Sequence, residues 1–135
     1  IGIALGLPLL LGYGYAFPRV AAEASAAAVL LSAFLAVING TLEELLWRGA
    51  YLSLFPESKL FGYWYPNLAF GIWHVAPLSV MPSREPGGTA SFVLVSTVVG
   101  LLWGWVAFHT RSVRWTSAAH VLFDFSGLGG RVYFP

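Results

Sequence analysis

Residues 89–110, TASFVLVSTVVGLLWGWVAFHT, contain no Asp, Glu, Lys or Arg. A helix needs roughly 20 mostly apolar residues to cross the hydrocarbon core of a bilayer. Inside that core every backbone N–H and C=O must be paired within the segment, so the run is read as a helix rather than an open strand. Composition agrees along the whole chain. Of 135 residues, 58% are hydrophobic and only 10% charged, and the mean hydropathy is +0.74. Soluble domains carry about 25% charged residues, and an interior of this size cannot hide so much apolar surface from water. The expected fold is an all-α integral membrane protein in a lipid bilayer, a single bundle over residues 1–135 of about five transmembrane helices with a polar intramembrane cavity. A net charge of +1 gives no electrostatic case for a nucleic-acid partner. The absence of cysteine excludes disulfides, thiolate metal sites and a cysteine nucleophile.

The first span is expected over residues 1–17, ended by Pro18 and Arg19. The second runs from Ala21 to Leu54. It is too long for a plain crossing, so a tilt, a break at Asn39-Gly40 or a start on the membrane surface is expected. FPESK (55–59) reads as a polar turn. The third span starts at Tyr65, with Pro66 in its first turn, and ends near Val80. MPSREPGG (81–88) reads as a loop, 89–110 as the fourth span and RSVR (111–114) as a basic turn. A short fifth helix covers 115–128, closed by Gly129 and Gly130. Gly2 with Gly6, and Gly100 with Gly104, have the spacing of close helix–helix contacts. Trp64, Trp103, Trp105 and Trp115 fall near expected span ends, where an aromatic belt belongs. The positive-inside rule gives a tie between Arg19, Arg84 and Arg131 on one side and Lys59, Arg111 and Arg114 on the other.

A charged side chain at a helix centre costs about 2.5 to 3.5 kcal/mol on translocon scales, so it survives by pairing, lining a wet cavity or doing chemistry. With loops and ends set aside, the ionisable residues within the spans are Glu43, Glu44, Arg48, His74, His120 and Asp124. Counted from one membrane face at 1.5 Å per residue, Glu43 lies roughly 16 Å deep, His74 roughly 14 Å, His120 about 9 Å and Asp124 about 15 Å. Three helices thus bring polar groups to a common depth. Glu44 and Arg48 are i and i+4 with the acid first, the favourable order for an ion pair. His120 and Asp124 share a face, as do Phe70 and His74. Glu43 points about 100° away from Glu44 and has no sequence-local cation. His109, beside Arg111 at a helix end, is expected at the interface. No serine sits in a G-x-S-x-G nucleophile context.

At these residues the chain resembles a known family. EELLWR (43–48) matches an EExxxR motif, FGIWH (70–74) an FxxxH motif and HVLFD (120–124) an HxxxN/D motif. In this order on successive helices they resemble the CAAX-protease and bacteriocin-processing family of glutamate-type intramembrane proteases, related to the type II CAAX prenyl endopeptidases. The resemblance covers residues 40–125, the motif-bearing core, and extends to GLLWGWVAFHTRSVRWTSAAH (100–120). It implies a water-activating glutamate with a histidine, Glu43 and His74, and an oxyanion-steadying last motif, His120 and Asp124. It implies Glu44 and Arg48 as the accompanying acid and cation, with Phe70 packing beside them. An ionised aspartate cannot donate to an oxyanion, so Asp124 is either protonated or orients His120.

The residues support that chemistry unaided: water at neutral pH needs a base, and a carboxylate in an apolar cavity can serve as one. The expected activity is hydrolysis of a peptide bond near the end of a membrane-anchored or lipidated protein. A CAAX-like C-terminus, a peptide leader and a C-terminal sorting tag all fit as substrates. No cofactor is expected. The rival is zinc held by Glu43, His74, His120 and Asp124, but no H-E-x-x-H helix supports it. The alternative of another class is a non-catalytic bacteriocin-immunity protein or membrane-complex subunit that uses the same pocket for binding. The expected location is a prokaryotic cytoplasmic membrane.

Overall fold

The structure, a computed structural model, describes residues 1–83 and 87–128. Every regular element in these residues is helical. Five helical rods follow one another: α1 (Gly2–Ala21), α2 (Ala26–Leu54), α3 (60–80), α4 (Gly88–Thr110) and α5 (Arg114–Ser126). Three of them, α1, α2 and α4, are long and apolar enough to cross a membrane. This differs from the expected five spans. The 13 residues of α5 fall short of the roughly 20 that a crossing needs. α3 is interrupted at His74, where Tyr65–Trp73 gives way to Val75–Val80. Pro77 supplies the reason, since its ring crowds the carbonyl four residues earlier and it has no N–H to donate.

The prolines that were expected to bound helices instead sit inside rods. In α1, a π-helical turn covers Gly12–Ala16, Phe17 N–H bonds to Gly12 O, and the helix resumes through Pro18 to Ala21. In α3, a π-helical turn covers Leu60–Trp64, Tyr65 N–H bonds to Leu60 O, and Pro66 follows. α3 therefore begins before Tyr65. In both rods the wider turn shifts the hydrogen-bond ladder just ahead of the residue that would break it. α2 starts at Ala26 rather than Ala21 because Ser25 caps it, its Oγ accepting from Ala28 N–H at 3.2 Å. α2 runs unbroken past Asn39-Gly40; its irregularity is a third π-helical turn, Leu45–Ala50. Residues 55–58 form the expected turn. Gly88 already belongs to α4, and residues 84–86 of the expected loop lie outside the described residues, as do Gly129 and Gly130. Arg111, at φ 54°, takes the left-handed conformation that ends α4.

α2 packs on α5, α3 packs on α4, and α1 packs across α4 and α5. Val99, Trp103 and Ala119 form the core, with Leu5, Leu9, Leu102 and Phe123 against it. Trp103 is 0% exposed and does not belong to an interfacial belt, whereas Trp64, Trp105 and Trp115 are exposed. Leu30, Phe34, Leu42 and Leu46 face outward along α2, as lipid-facing side chains do.

Close approach depends on glycine. A Cβ on Gly40 would lie 2.9 Å from the backbone N of Val121, so α2 and α5 touch backbone to backbone. A Cβ on Gly100 would lie 2.8 Å from Phe70 Cδ1, and one on Gly104 would collide with the Asn67 carboxamide. Gly2 and Gly6 have nothing within 4 Å, so that pair makes no contact within the chain. Gly104→Leu should therefore destabilise by about 1–3 kcal/mol or more, the usual range for overpacking. Gly2→Leu should leave the melting temperature unchanged or raised, and thermal melts in detergent compare the two.

Candidate active site

Glu44 and Arg48 end one turn apart on α2, across the start of the π-helical stretch Leu45–Ala50. Both are removed from solvent, Glu44 at 0% and Arg48 at 2% exposure. Arg48 Nη1 donates to Glu44 Oε1 at 2.8 Å. Its Nε donates to Asn67 Oδ1 on α3 at 2.9 Å, and the guanidinium lies 4.2 Å above the Phe70 ring. Asn67 is buried as well, and its Nδ2 donates to Tyr63 O at 2.6 Å. The same Glu44 oxygen meets His120 Nδ1 of α5 at 3.0 Å. A carboxylate oxygen can only accept, so Nδ1 carries a proton directed at Glu44, and Nε2 points away.

Nε2 of His120 faces the rest of the cluster. Glu43 Oε2 and Asp124 Oδ1 each lie 3.5 Å from it. Two carboxylate oxygens and an imidazole nitrogen meet there, so at least one proton is shared among them; three bare lone pairs would repel. Glu43 and Asp124 keep 18% and 24% side-chain exposure, unlike Glu44. The two adjacent glutamates thus occupy different surroundings, as their angular separation on the helix requires.

His74 reaches the cluster by a different route. Its Nδ1 donates to Phe70 O at 2.8 Å, which leaves Nε2 as the available nitrogen. Its ring stands edge-on to Phe70, centroids 4.8 Å apart, and the same Phe70 ring lies 5.9 Å from His120. Phe70 thus stands between the two imidazoles and under Arg48. Among the described residues His74 forms no ion pair with Glu43; the imidazole beside Glu43 is that of His120. His109 is exposed and bonded to Trp105 O, away from the cluster.

A cavity of about 280 Å³ adjoins the cluster. His74, His120 and Asp124 form its polar wall, and the remainder is chiefly apolar and aromatic, including Phe92, Val95 and Trp103 of α4 and Leu11 and Ala16 of α1. Glu43 does not line it. Two residues outside the ionisable set also hold the cluster: Asn67 on Arg48, and Asn39, whose Nδ2 donates to Asp124 Oδ2 at 3.0 Å. They are the chain's only carboxamide side chains. A scan for uncharged polar residues within the spans would have found both.

The buried pair makes a clear stability prediction. Arg48→Met leaves the Glu44 charge uncompensated and should cost about 3–5 kcal/mol. Adding Glu44→Gln should recover a substantial part of that loss, because the stranded charge goes with it. Unfolding of the two variants in detergent checks the coupling.

No curated protein and no solved structure matches the chain. The sequence family described as Type II CAAX prenyl endopeptidase Rce1-like matches residues 13–126, a stretch that holds all three motifs and every member of the cluster. The chain therefore belongs to the type II CAAX prenyl endopeptidase Rce1-like family, a family of membrane proteases.

Proposed function

We propose that the chain is an intramembrane endopeptidase of the glutamate type that cleaves a peptide bond near the end of a membrane-anchored or lipidated chain. The observation that carries this reading is the contrast between the two glutamates. Glu44 is neutralised by Arg48 and fully buried, while Glu43 is partly accessible and sits 3.5 Å from His120 Nε2. A base must be free to take a proton and reachable by water, and the residual exposure of Glu43, against the full burial and pairing of Glu44, supports giving it that role.

The reaction then runs as a general-base hydrolysis. Glu43 takes a proton from water as the water oxygen bonds to the scissile carbonyl carbon. The carbonyl oxygen becomes an oxyanion, and His120, acting as the imidazolium with its Nδ1 proton on Glu44, presents its Nε2 proton to it. The C–N bond breaks as the amine nitrogen receives the proton that Glu43 took from water, relayed by His74, whose bare Nε2 on the cavity wall accepts that proton and then gives it up. Asp124 assists His120 from the same helix. The apolar cavity gives the substrate's greasy portion a dry surface beside the reacting bond. A CAAX-like C-terminus, a peptide leader or a sorting tag would each bring such a portion, and the family favours the first.

The proposed mechanism involves no metal; zinc held by Glu43, His74, His120 and Asp124 is its rival, and the chelator arm of the test separates the two. The family match also favours a peptidase over a binding-only membrane subunit.

The test is cleavage of a lipidated peptide by purified protein, followed by mass spectrometry, in buffer stripped of metal with a chelator. Wild type should cleave under those conditions. Glu43→Gln and His74→Ala should fold and lose at least about a hundredfold in kcat, the usual scale for removing a proton-transfer group. Full activity in a folded Glu43→Gln variant, or activity restored only by added zinc, would overturn the mechanism.

A further inference from the structure

Asn39 lies one helical turn ahead of Glu43 on α2, so its carboxamide leaves the helix on the same face as the proposed base. Its Nδ2 donates to Asp124 Oδ2 at 3.0 Å. The other Asp124 oxygen, Oδ1, is the one that faces His120 Nε2 at 3.5 Å. The carboxylate is thus held from both ends, by an amide on α2 and an imidazole on its own helix.

The two helices approach closely where this occurs. The next residue, Gly40, makes the backbone contact with Val121 and with the His120 carbonyl carbon, which a Cβ would approach to 2.9 and 3.2 Å. Asn39 therefore projects from beside the point where the backbones of α2 and α5 meet. Its neighbours Val37, Ile38 and Leu42 are exposed apolar side chains. A lone carboxamide on such a face is costly unless its groups are hydrogen-bonded, and the Asp124 bond satisfies one of them.

We propose that Asn39 is a positioning residue of the peptidase: by donating to Asp124 Oδ2 it aims Oδ1 at His120, and so sets the direction in which His120 Nε2 meets the reacting carbonyl. The inference rests on the peptidase reading above. Orientation of a catalytic imidazole by a hydrogen-bonded partner acts on the chemical step rather than on substrate capture.

The experiment uses the full chain in lipid nanodiscs with the lipidated-peptide assay, comparing Asn39→Leu, Asn39→Ala and Asn39→Gln. Asn39→Leu suits the apolar face and removes the donor. Asn39→Ala removes the donor and sets no charge against Asp124. Asn39→Gln keeps an amide donor. The first two should lower kcat about tenfold, the scale of one lost hydrogen bond, with KM and melting temperature unchanged. Asn39→Gln should recover most of the loss. Wild-type kcat in both donor-less variants would overturn the proposal, as would losses that track a fall in melting temperature with Asn39→Gln no better than Asn39→Leu. Glu43→Gln in the same preparation separates the two levels. If it is inert while the Asn39 variants behave as wild type, only the positioning role fails; if it is active, the peptidase reading fails and takes this inference with it.

Discussion

The ion pair of Glu44 and Arg48, shut away from water among three helices, is the interaction on which the remainder depends. An unpaired charge in that position would be intolerable, so the chain surrounds the pair with partners. Asn67 takes the guanidinium Nε, the Phe70 face covers it, and His120 takes the second share of Glu44 Oε1. These contacts tie α2 to α3 and to α5. They also explain the glycines: Gly104 leaves space for Asn67, and Gly100 leaves space for Phe70 and Arg48.

What the pair supports is a direction. Since His120 Nδ1 is committed to Glu44, Nε2 must look toward Glu43 and Asp124. The cluster therefore has a buried end at Glu44 and Arg48 and a less buried end, where Glu43 and Asp124 keep partial exposure. The apolar cavity lies against the second end, with His74, His120 and Asp124 in its wall. A membrane protease needs this division, because its substrate arrives with apolar groups while the reaction consumes water.

Much of this was legible in the sequence. The helical class follows from composition, and the i, i+4 spacing of Glu44 and Arg48 points to their pairing. The similar depths of Glu43, His74 and Asp124, with His120 one turn from Asp124 on the same face, point to a cluster because helical rise is constant. The rest was hidden for identifiable reasons. Pro18 and Pro66 read as boundaries, since nothing in a residue string announces the π-helical turns that let a helix pass through them. Trp103 read as interfacial by its distance from a helix end, yet it packs 5.0 Å from His120 in the core. Spacing along separate helices could not show that Phe70 O would claim His74 Nδ1, or that His120 rather than His74 would stand beside Glu43. Asn39 and Asn67 escaped because a search for ionisable groups passes over amides.

The central claim is that Glu44 holds His120 by its Nδ1 proton. It is tested most directly by nitrogen NMR of the full chain in lipid nanodiscs, with 15N-labelled histidine. The chain has three histidines, and one substitution for each assigns the signals. A directly bonded proton on His120 Nδ1, with a signal that shifts in Glu44→Gln, is the predicted result. A bare Nδ1, with the only ring proton on Nε2, would contradict the account.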